Sequence, residues 1–274
     1  MTWISAFRPM SIDPNEVHLW LVCADDLLNS LQKANPEELL SGRERERAAR
    51  LLNANRRTIY IAGRVGLKVL VSAYTGCPVR QVRLEHGAKG KPALARDSGQ
   101  LNFNYSVSSN YALYAFSKTR ELGIDLEVHP RKVHVQGLSR RILSLYERRQ
   151  FSQIDSSRHN EAMLDFWTRK EAYGKLLGVG ILYSMNQTTL IESLRSACWE
   201  SKVTGLFDQT QNRMANDSVY GIQVRLPIPG SAALMYDAPR ANPLHPELRA
   251  FRWTADSSLE TGAESLCAHH RHAD

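Results

Sequence analysis

The chain has 274 residues, of which 43% are hydrophobic, and it carries 35 lysine and arginine residues against 28 aspartate and glutamate residues. This composition is typical of a globular protein and excludes disorder over most of the chain, and the length allows one large domain or two of modest size. No apolar run approaches the ~20 residues of a membrane-spanning helix, and the first residues lack the apolar stretch of a signal peptide, so we expect a cytoplasmic protein.

The net charge of +7 indicates an anionic partner, which charge alone does not identify. No groove-reading motif and no interleaving of basic residues with aromatics is present, so we do not expect nucleic acid as the partner. Because no apolar run is long enough to span a bilayer, we do not expect a membrane either. Much of the charge lies between Arg43 and Arg64, where a solvated helix face and an anion site both stay open. The four cysteines, Cys23, Cys77, Cys198 and Cys267, are too widely spaced to predict a zinc site or a disulfide framework.

The first half of the chain mixes strand and helix patterns. Residues 16–23 predict an opening strand, and residues 25–34 predict a short helix that ends before Pro36. A capping box of Ser41 and Glu44 begins a helix that runs to about Leu52. The remaining predicted elements of this half are a helix at 55–74 that stops at Gly76, strands at 79–84, 101–105 and 111–116, and a turn at 89–92.

The second half begins with a strand at 123–128, which the loop 118–122 joins to the preceding strand as a predicted hairpin. The elements predicted after it are helices at 135–151 and 160–177 and strands near 201–207, 220–226 and 232–237. After Pro239 the apolar periodicity is lost. We therefore predict an α+β protein with an N-terminal half over 1–118, a C-terminal half over 119–238 and a peripheral tail over 239–274.

Two acidic residues stand out on the strand predicted at 123–128. Asp125 and Glu127 are two residues apart, so both carboxylates lie on one face while Ile124 and Leu126 fill the other. Two adjacent acids repel each other, and a hard cation such as Mg²⁺ between them would remove the repulsion. A strand with acids on its solvent side explains the same pattern, and that alternative stays open here.

A second group of polar residues lies on the helix predicted at 160–177. Trp167, Glu171 and Lys175 occupy successive i, i+4 positions and so form one row on the helix surface. Gly174 costs about 1 kcal/mol relative to alanine inside a helix, which indicates that another element approaches the helix closely. An exposed Glu–Lys pair worth a few tenths of a kcal/mol is the simpler alternative.

Together, Gly123-Ile124-Asp125-Leu126-Glu127 and the segment from Phe166 to Lys175 resemble the paired signature of 4′-phosphopantetheinyl transferases. The resemblance is to the broad-specificity, surfactin-synthetase-activating type, which modifies carrier proteins of both fatty-acid and secondary metabolism. It extends in the same order to residues 56–64, 88–92 and 103–106, and it covers about residues 40–190.

The resemblance implies a fold and a reaction. The fold has two α+β halves related by a pseudo-twofold, each a small antiparallel sheet packed on a long helix, with coenzyme A in the cleft between them in a monomeric chain. The reaction is the Mg²⁺-dependent transfer of the 4′-phosphopantetheine arm of coenzyme A to a serine hydroxyl of an apo acyl or peptidyl carrier protein, which is typically acidic. The other product is adenosine 3′,5′-bisphosphate.

The resemblance also assigns roles to residues of this chain. It makes Asp125, Glu127 and Glu171 the metal ligands and Glu171 and Lys175 the catalytic residues, with Glu171 accepting the serine proton and Lys175 assisting the leaving group. The residues that it implies for contact with coenzyme A are Arg47, Lys89, Gly90, Lys91, Pro92, Tyr105, Ser106, Asp125, Lys170, Glu171 and Lys175.

One position departs from the family pattern. Val107 stands where the family usually has a histidine that contacts the 3′-phosphate of coenzyme A, and valine has no donor for it. We therefore predict weak discrimination between coenzyme A and its 3′-dephospho form. Two rival interpretations remain: a catalytically diverged relative that binds coenzyme A and carrier proteins, and a metal-dependent nuclease, which would also need clustered acids and a lysine.

Overall fold

A computed structural model describes residues 10–31, 35–86, 91–95, 100–178, 185–192, 199–203, 218–238 and 245–253. The helices in these ranges are α1 (Ala24–Ser30), α2 (Gly42–Ala49), α3 (Ala54–Thr75), α4 (Val135–Ile142), α5 (Leu145–Phe151) and α6 (His159–Leu177). The strands are β1 (Glu16–Cys23), β2 (Leu84–His86), β3 (Pro92–Leu94), β4 (Asn102–Ser108), β5 (Tyr111–Ser117), β6 (Leu122–Val128), β7 (Thr188–Glu192), β8 (Trp199–Val203), β9 (Ser218–Gln223), β10 (Gly230–Ala238) and β11 (Glu247–Arg252).

The strands form two main sheets and one small ribbon. The first sheet has the order β11-β1-β5-β4, the second has the order β6-β10-β9-β8-β7, and β2 pairs with β3. Among the described strands the neighbours are antiparallel, apart from the parallel pair of β1 and β11. The mixed α+β fold predicted from the sequence is therefore confirmed, and the pseudo-twofold relation of its halves stays a prediction.

The two main sheets pack face to face. Leu19 and Leu113 of the first sheet share an apolar core with Ile124, Leu126 and Leu234 of the second. Each sheet carries a long helix on its other face, because its strands are apolar on both sides and the second face must also be covered. The result is a stack of four layers, in the order α3, first sheet, second sheet and α6.

The helix boundaries follow from local capping interactions. Ser41 and Glu44 form the predicted capping box at the start of α2. The Asn53 side chain accepts a hydrogen bond from the Arg56 backbone N–H at the start of α3, and Gly76, with φ of 70°, ends that helix in the left-handed conformation that glycine tolerates best.

The predicted hairpin around residues 118–122 is wrong. Strand β5 pairs with β1 and β4, whereas β6 pairs with β10 in the other sheet. The turn between β5 and β6 instead carries the chain from one sheet to the other, and the inner faces of these two strands pack in one core. The division of the chain at 118/119 falls in this turn, and we keep it as a proposal.

Two further element predictions need correction. Residues 79–84 do not form one strand: Val79–Gln81 is a 3-10 turn that buries Val79 and Val82, three residues apart, and β2 begins only at Leu84. The helix predicted at 135–151 is two helices, α4 and α5, because Ser144 caps a new helix through a second capping box with Glu147.

The predicted peripheral tail also contains a structural element. Strand β11 extends the first sheet beside β1, and Trp253, directly after it, is buried. The Arg249 side chain forms an ion pair with Glu16 at 2.6 Å. Residues 239–244 and 254–274 lie outside the described residues. In the part of the chain that the structure covers, no helix is long and apolar enough to cross a membrane.

Candidate active site between strand β6 and helix α6

Strand β6 places its two acids on one face, as the sequence predicts. Leu122, Ile124 and Leu126 enter the core between the sheets, and Asp125 and Glu127 lie on the opposite side, where α6 packs. The carboxylates are not on a solvent face, since Asp125 is 5% exposed and Glu127 is 6% exposed. Burying two acids is costly unless they are bound by donors or cations, so the environment of each one matters.

Gly123 allows α6 to lie directly against β6. A Cβ atom at this position would be 2.0 Å from the Ala172 carbonyl oxygen and 2.4 Å from the Leu176 backbone nitrogen. Such distances to backbone atoms cannot be relieved by a change of side-chain rotamer. The glycine of the motif is thus the reason that the acidic face of β6 and the Trp167–Glu171–Lys175 row of α6 meet.

Asp125 is bound by one lysine ammonium group and one serine hydroxyl group. Lys175 Nζ lies 2.7 Å from Asp125 Oδ1 and also donates to the Ile124 carbonyl oxygen at 3.0 Å. Ser106 Oγ donates to the same Asp125 oxygen at 2.7 Å. The other oxygen, Oδ2, is buried and has no hydrogen-bond partner among the described residues.

Glu127 has a different set of partners. The Trp167 indole N–H donates to Glu127 Oε1 at 3.0 Å, and Ser108 Oγ donates to Oε2 at 3.1 Å. Arg131, four residues further along the chain, forms an ion pair with Glu127 Oε1. The residues of the row predicted on α6 therefore bind both acids of β6. Trp167 donates to Glu127, and Lys175 donates to Asp125.

Glu171 is the third carboxylate of the site. Its side chain is buried, and its Oε1 atom has no hydrogen-bond partner in the described part of the chain. Burial raises the pKa of Glu171 to about 7, and the negative charge of Asp125 adds to this, against the opposing effect of Lys175. A carboxyl group with this pKa exchanges its proton near neutral pH, as a general acid or base requires.

Strand β4 holds the acidic strand through side chains rather than through a backbone ladder. Asn104 Oδ1 accepts a hydrogen bond from the Ile124 N–H at 2.9 Å, and Ser108 Oγ accepts one from the Val128 N–H at 3.0 Å. With Ser106, these residues recur every second position, which is the period of one strand face. Sequence reasoning missed Asn104 and Ser108, although this run of small polar residues was a signal that could have identified them.

The carboxylates line one end of a continuous cleft. This acidic part has a volume of about 500 Å³ and contains Asp125, Glu127 and Glu171. A second part of about 640 Å³ shares Ser106, Val107, Ser109 and Lys175 with it. The polar side chains that line the second part are Arg47, Asn55, Arg56, Tyr60, Arg64 and Tyr105.

The predicted contacts Arg47, Tyr105 and Ser106 all lie on this cleft. Arg47 lies over the Tyr60 ring, with 5.5 Å from its Cζ atom to the ring centroid. Tyr105 accepts a hydrogen bond from Arg64 at 3.2 Å, and Arg64 is itself held by Glu44 at 2.5 Å. The cleft therefore has a basic part and an acidic part, and Lys175 borders both.

Lys170 lines neither part of the cleft, so the structure does not bring it together with the other predicted coenzyme A contacts. Its side chain is 1% exposed and forms an ion pair with Glu147 at 2.8 Å. It also donates to the carbonyl oxygens of Met185 and Thr188. A residue next to Glu171 on a helix points about 100° away from it, and here that direction leads into the packing of α6 against α5 and β7.

The remaining predicted contacts are near the start of β6 or outside the described residues. Lys91 Nζ binds Glu121 and the Leu122 carbonyl oxygen, both at 3.0 Å. Pro92 begins β3, opposite His86. Lys89 and Gly90 lie outside the described residues.

The chemistry of the three carboxylates suits a hard divalent cation. Asp125 Oδ2 and Glu171 Oε1 are buried oxygen atoms without a partner among the described residues, and oxygen ligands are those that Mg²⁺ prefers. In the described ranges, however, no three His, Cys, Asp or Glu side chains are close enough together to hold a metal ion. Lys175 and Arg131 neutralise Asp125 and Glu127 instead, so a cation would compete with these two basic side chains.

Two family models match the chain, and between them they cover both halves. One, described as the 4′-phosphopantetheinyl transferase superfamily, matches residues 121–219. The other, described as the N-terminal region of a 4′-phosphopantetheinyl transferase, matches residues 32–119. The first match contains Asp125, Glu127, Glu171 and Lys175.

Curated proteins with similar sequences carry the same description. The 4′-phosphopantetheinyl transferase HetI of Nostoc sp. is 33% identical over 183 residues, which are 66% of this chain and 76% of that protein. The L-aminoadipate-semialdehyde dehydrogenase-phosphopantetheinyl transferase of Homo sapiens is 27% identical over 61% of this chain and 56% of its own length. A phosphopantetheinyl transferase of Thraustochytrium sp. is 25% identical over 57% of this chain and 59% of its own length.

Proposed function

Because the chain belongs to the 4′-phosphopantetheinyl transferase superfamily and is an enzyme of that class, we propose that it transfers the phosphopantetheine arm of coenzyme A to a serine hydroxyl of an apo acyl or peptidyl carrier protein. Adenosine 3′,5′-bisphosphate is the product released. The observation that carries the proposal is the meeting of Asp125, Glu171 and Lys175 in a cleft whose other part is lined by arginines.

The basic part of the cleft suits the nucleotide end of coenzyme A. Arg47 and Arg56 supply positive charge and hydrogen-bond donors for phosphate groups, and the Tyr60 and Tyr105 rings supply flat apolar surface. Lys175 borders both parts of the cleft, so its ammonium group is positioned to stabilise the charge that develops on the departing bisphosphate.

Glu171 is our candidate for the group that removes the serine proton. Attack of a hydroxyl group on a phosphorus atom needs positioning and charge neutralisation more than covalent help from the protein. A carboxyl group with a pKa of about 7 is deprotonated often enough near neutral pH to accept a proton, yet it is basic enough to hold it. The buried, unpartnered Oε1 atom of Glu171 is the proposed acceptor.

We propose Asp125, Glu127 and Glu171 as the residues that would hold Mg²⁺. When bound, the cation would neutralise the charge of the coenzyme A pyrophosphate and orient it for in-line attack. We expect its binding to weaken the Lys175–Asp125 and Arg131–Glu127 ion pairs, which frees Lys175 for the phosphate groups. We further propose a cytoplasmic monomer of 31.0 kDa, which light scattering would test.

A nuclease remains the rival by chemistry. Its final acid and lysine are often two residues apart on one strand, whereas Glu171 and Lys175 are four apart on α6 and face strand β6. The second rival, a diverged protein that binds without catalysis, would have no chemical need for three buried carboxylates, one of which is paired with a lysine. An assay for nuclease activity with Mg²⁺ tests the nuclease interpretation. A transfer assay tests whether the protein binds without catalysis.

The test is to incubate the protein with coenzyme A, Mg²⁺ and several apo carrier proteins and to follow carrier mass. We expect the gain of one phosphopantetheine group, its loss in EDTA, and a decrease in kcat of at least about 100-fold in Glu171→Gln. Glu161→Gln, at the exposed start of the same helix, is the control that keeps activity. Failure to modify any carrier would contradict the proposal, and equal activity of the two variants would contradict the role of Glu171.

A further inference from the structure

Arg131 follows strand β6 and lines the acidic part of the cleft, where its guanidinium group forms an ion pair with Glu127 Oε1. The Trp167 indole N–H donates to the same oxygen at 3.0 Å. A carboxylate oxygen has about two lone pairs for hydrogen bonds, so these two donors occupy Oε1. Ser108 Oγ donates to Oε2 at 3.1 Å. The Glu127 carboxylate is therefore bound on both oxygens by donors of this chain.

The other two carboxylates of the site are less occupied. Asp125 Oδ2 and Glu171 Oε1 are buried and have no hydrogen-bond partner among the described residues. In the same part of the chain, no three acidic, histidine or cysteine side chains come close enough together to hold a metal ion. The donors on Glu127 give a physical reason, because they bind this carboxylate in place of a cation that it would share with the other two.

Of the two basic side chains that pair with the acids, Arg131 is the easier to displace. Its side chain is 46% exposed, against 28% for Lys175. An ion pair that is half in water contributes little, since water solvates the guanidinium group as soon as it is released. Lys175 also donates to the Ile124 carbonyl oxygen at 3.0 Å, and this bond adds to its ion pair with Asp125. A divalent cation would therefore replace Arg131 before it replaced Lys175.

We propose that Arg131 is an internal counter-cation that competes with the divalent metal ion for Glu127 and so sets the metal affinity of the site. Arg131 binds Glu127 in the metal-free protein and must leave before this carboxylate joins Asp125 and Glu171 as a ligand. The inference rests on the metal site of the proposed function and adds the residue that controls its occupancy. Because Arg131 acts through Glu127, it is a positioning residue.

The test measures the affinity of the full chain for Mn²⁺ after treatment with EDTA and dialysis, without coenzyme A or a carrier. Mn²⁺ prefers the same oxygen ligands as Mg²⁺, and electron paramagnetic resonance measures its free concentration. We expect Arg131→Gln to lower Kd for Mn²⁺ about tenfold, because a positive charge that competes for one ligand is removed. A folding defect would weaken metal binding, so a gain in affinity distinguishes the proposed role from a structural one.

Two variants control for charge and for the side chain. Lys132 is the next residue, is also exposed and does not line the acidic part of the cleft. Lys132→Gln removes the same charge as Arg131→Gln and should lower Kd less than about twofold, since an exposed charge further from the carboxylates is screened. Arg131→Lys keeps the charge and should stay within about threefold of the wild-type Kd.

A second comparison tests whether Arg131 acts through Glu127. In the Glu127→Gln background, the carboxylate for which arginine and metal compete is absent. Arg131→Gln should then change Kd for Mn²⁺ less than about twofold. An effect of full size in this background would overturn the inference, because Arg131 would then act on the site as a whole through its charge.

The remaining outcomes separate the inference from the proposals on which it rests. Equal Kd values for Arg131→Gln and Lys132→Gln, or weaker binding by Arg131→Gln, would overturn the role of Arg131 and leave the metal site in place. If neither the wild type nor any of these variants binds Mn²⁺, the proposed metal site fails and the role of Arg131 fails with it. Failure to modify any carrier, in a protein that shows the expected Kd values, would contradict the proposed transfer reaction alone.

Discussion

The Glu171 carboxyl group is the part of the site whose ionisation depends most on its surroundings. Burial and the charge of Asp125 raise its pKa from 4.5 to about 7. Between pH 4.5 and about pH 7, Glu171 is therefore protonated in the folded protein but already deprotonated in the unfolded chain. Stability from the protonated group is present below pH 4.5 and is lost as the pH rises through about 7.

We predict that Glu171→Gln removes this pH dependence. In EDTA, the free energy of unfolding of the variant should gain about 1–3 kcal/mol relative to wild type between pH 5 and pH 8. Urea denaturation followed by circular dichroism at several pH values measures the difference. Parallel pH profiles for the two proteins would contradict the raised pKa.

The valine at position 107 affects how well the enzyme should distinguish coenzyme A from 3′-dephospho-coenzyme A. Its side chain is 36% exposed and lines both parts of the cleft, and its Cγ2 atom lies 3.1 Å from where a Cβ atom on Gly63 would be. Because valine gives no hydrogen bond to a 3′-phosphate, we expect kcat/KM for coenzyme A and 3′-dephospho-coenzyme A to differ less than about tenfold.

Introducing a donor at this position should increase that discrimination. Val107→His is expected to raise the preference for coenzyme A by about tenfold, since a hydrogen bond to a charged group is worth about 1.5–3 kcal/mol. Val107→Leu controls for the change in size. A wild-type enzyme that already rejects the dephospho form strongly would show that another residue, such as Arg56, binds the 3′-phosphate.

At the scale of elements, the contact of β6 with α6 depends on Gly123. A methyl group there would overlap the Ala172 carbonyl and the Leu176 backbone, so the helix must move away from the strand. We predict that Gly123→Ala lowers the free energy of unfolding by about 3 kcal/mol or more and abolishes transfer. Gly42→Ala, at the start of α2 with nothing within 4 Å of its Cβ position, should change stability by less than about 1 kcal/mol. Similar stability for both variants would show that the strand and helix can separate without cost.

The position of strand β11 determines how far the chain can be shortened from its C-terminal side before stability is lost. Removal of residues 245–274 would expose the edge of β1 and the Trp20 ring on which Phe251 stacks, would take the buried Trp253 ring out of the core, and would break the Arg249–Glu16 ion pair. We expect a loss of about 3 kcal/mol or more in thermal or urea unfolding. Removal of residues 256–274 alone tests the rest of the tail prediction and should change stability by less than about 1 kcal/mol. Equal stability of the two shortened chains would contradict a structural role for β11.

At the scale of the whole molecule, the net charge of +7 should act on the encounter with an acidic carrier. The Debye length falls from about 30 Å at 0.01 M ionic strength to about 8 Å at 0.15 M, so long-range attraction weakens over this range. We predict that KM for the carrier rises at least about threefold while kcat at saturation stays constant. A KM value that does not depend on salt would remove the charge-based part of partner selection.

Local patterns were sufficient for much of the site. The period-two pattern of β6 correctly separated Asp125 and Glu127 from the apolar residues, and the i, i+4 pattern of α6 correctly grouped Trp167 with Lys175. The capping box at Ser41 begins α2 and Gly76 ends α3, as the sequence predicted. These features depend on neighbours within a few positions, which the sequence shows directly.

The features of the site that the sequence pattern did not reveal depend on residues that are distant in the chain. The inward direction of Lys170 follows from Glu147 on another helix, and the roles of Ser106 and Ser108 follow from the stacking of two sheets. Strand β5 does not pair with β6 because β1 and β4 occupy both of its edges, and β6 pairs with β10 in the other sheet. Periodicity specifies which face of an element is apolar or polar, but the long-range packing of the chain decides what that face meets.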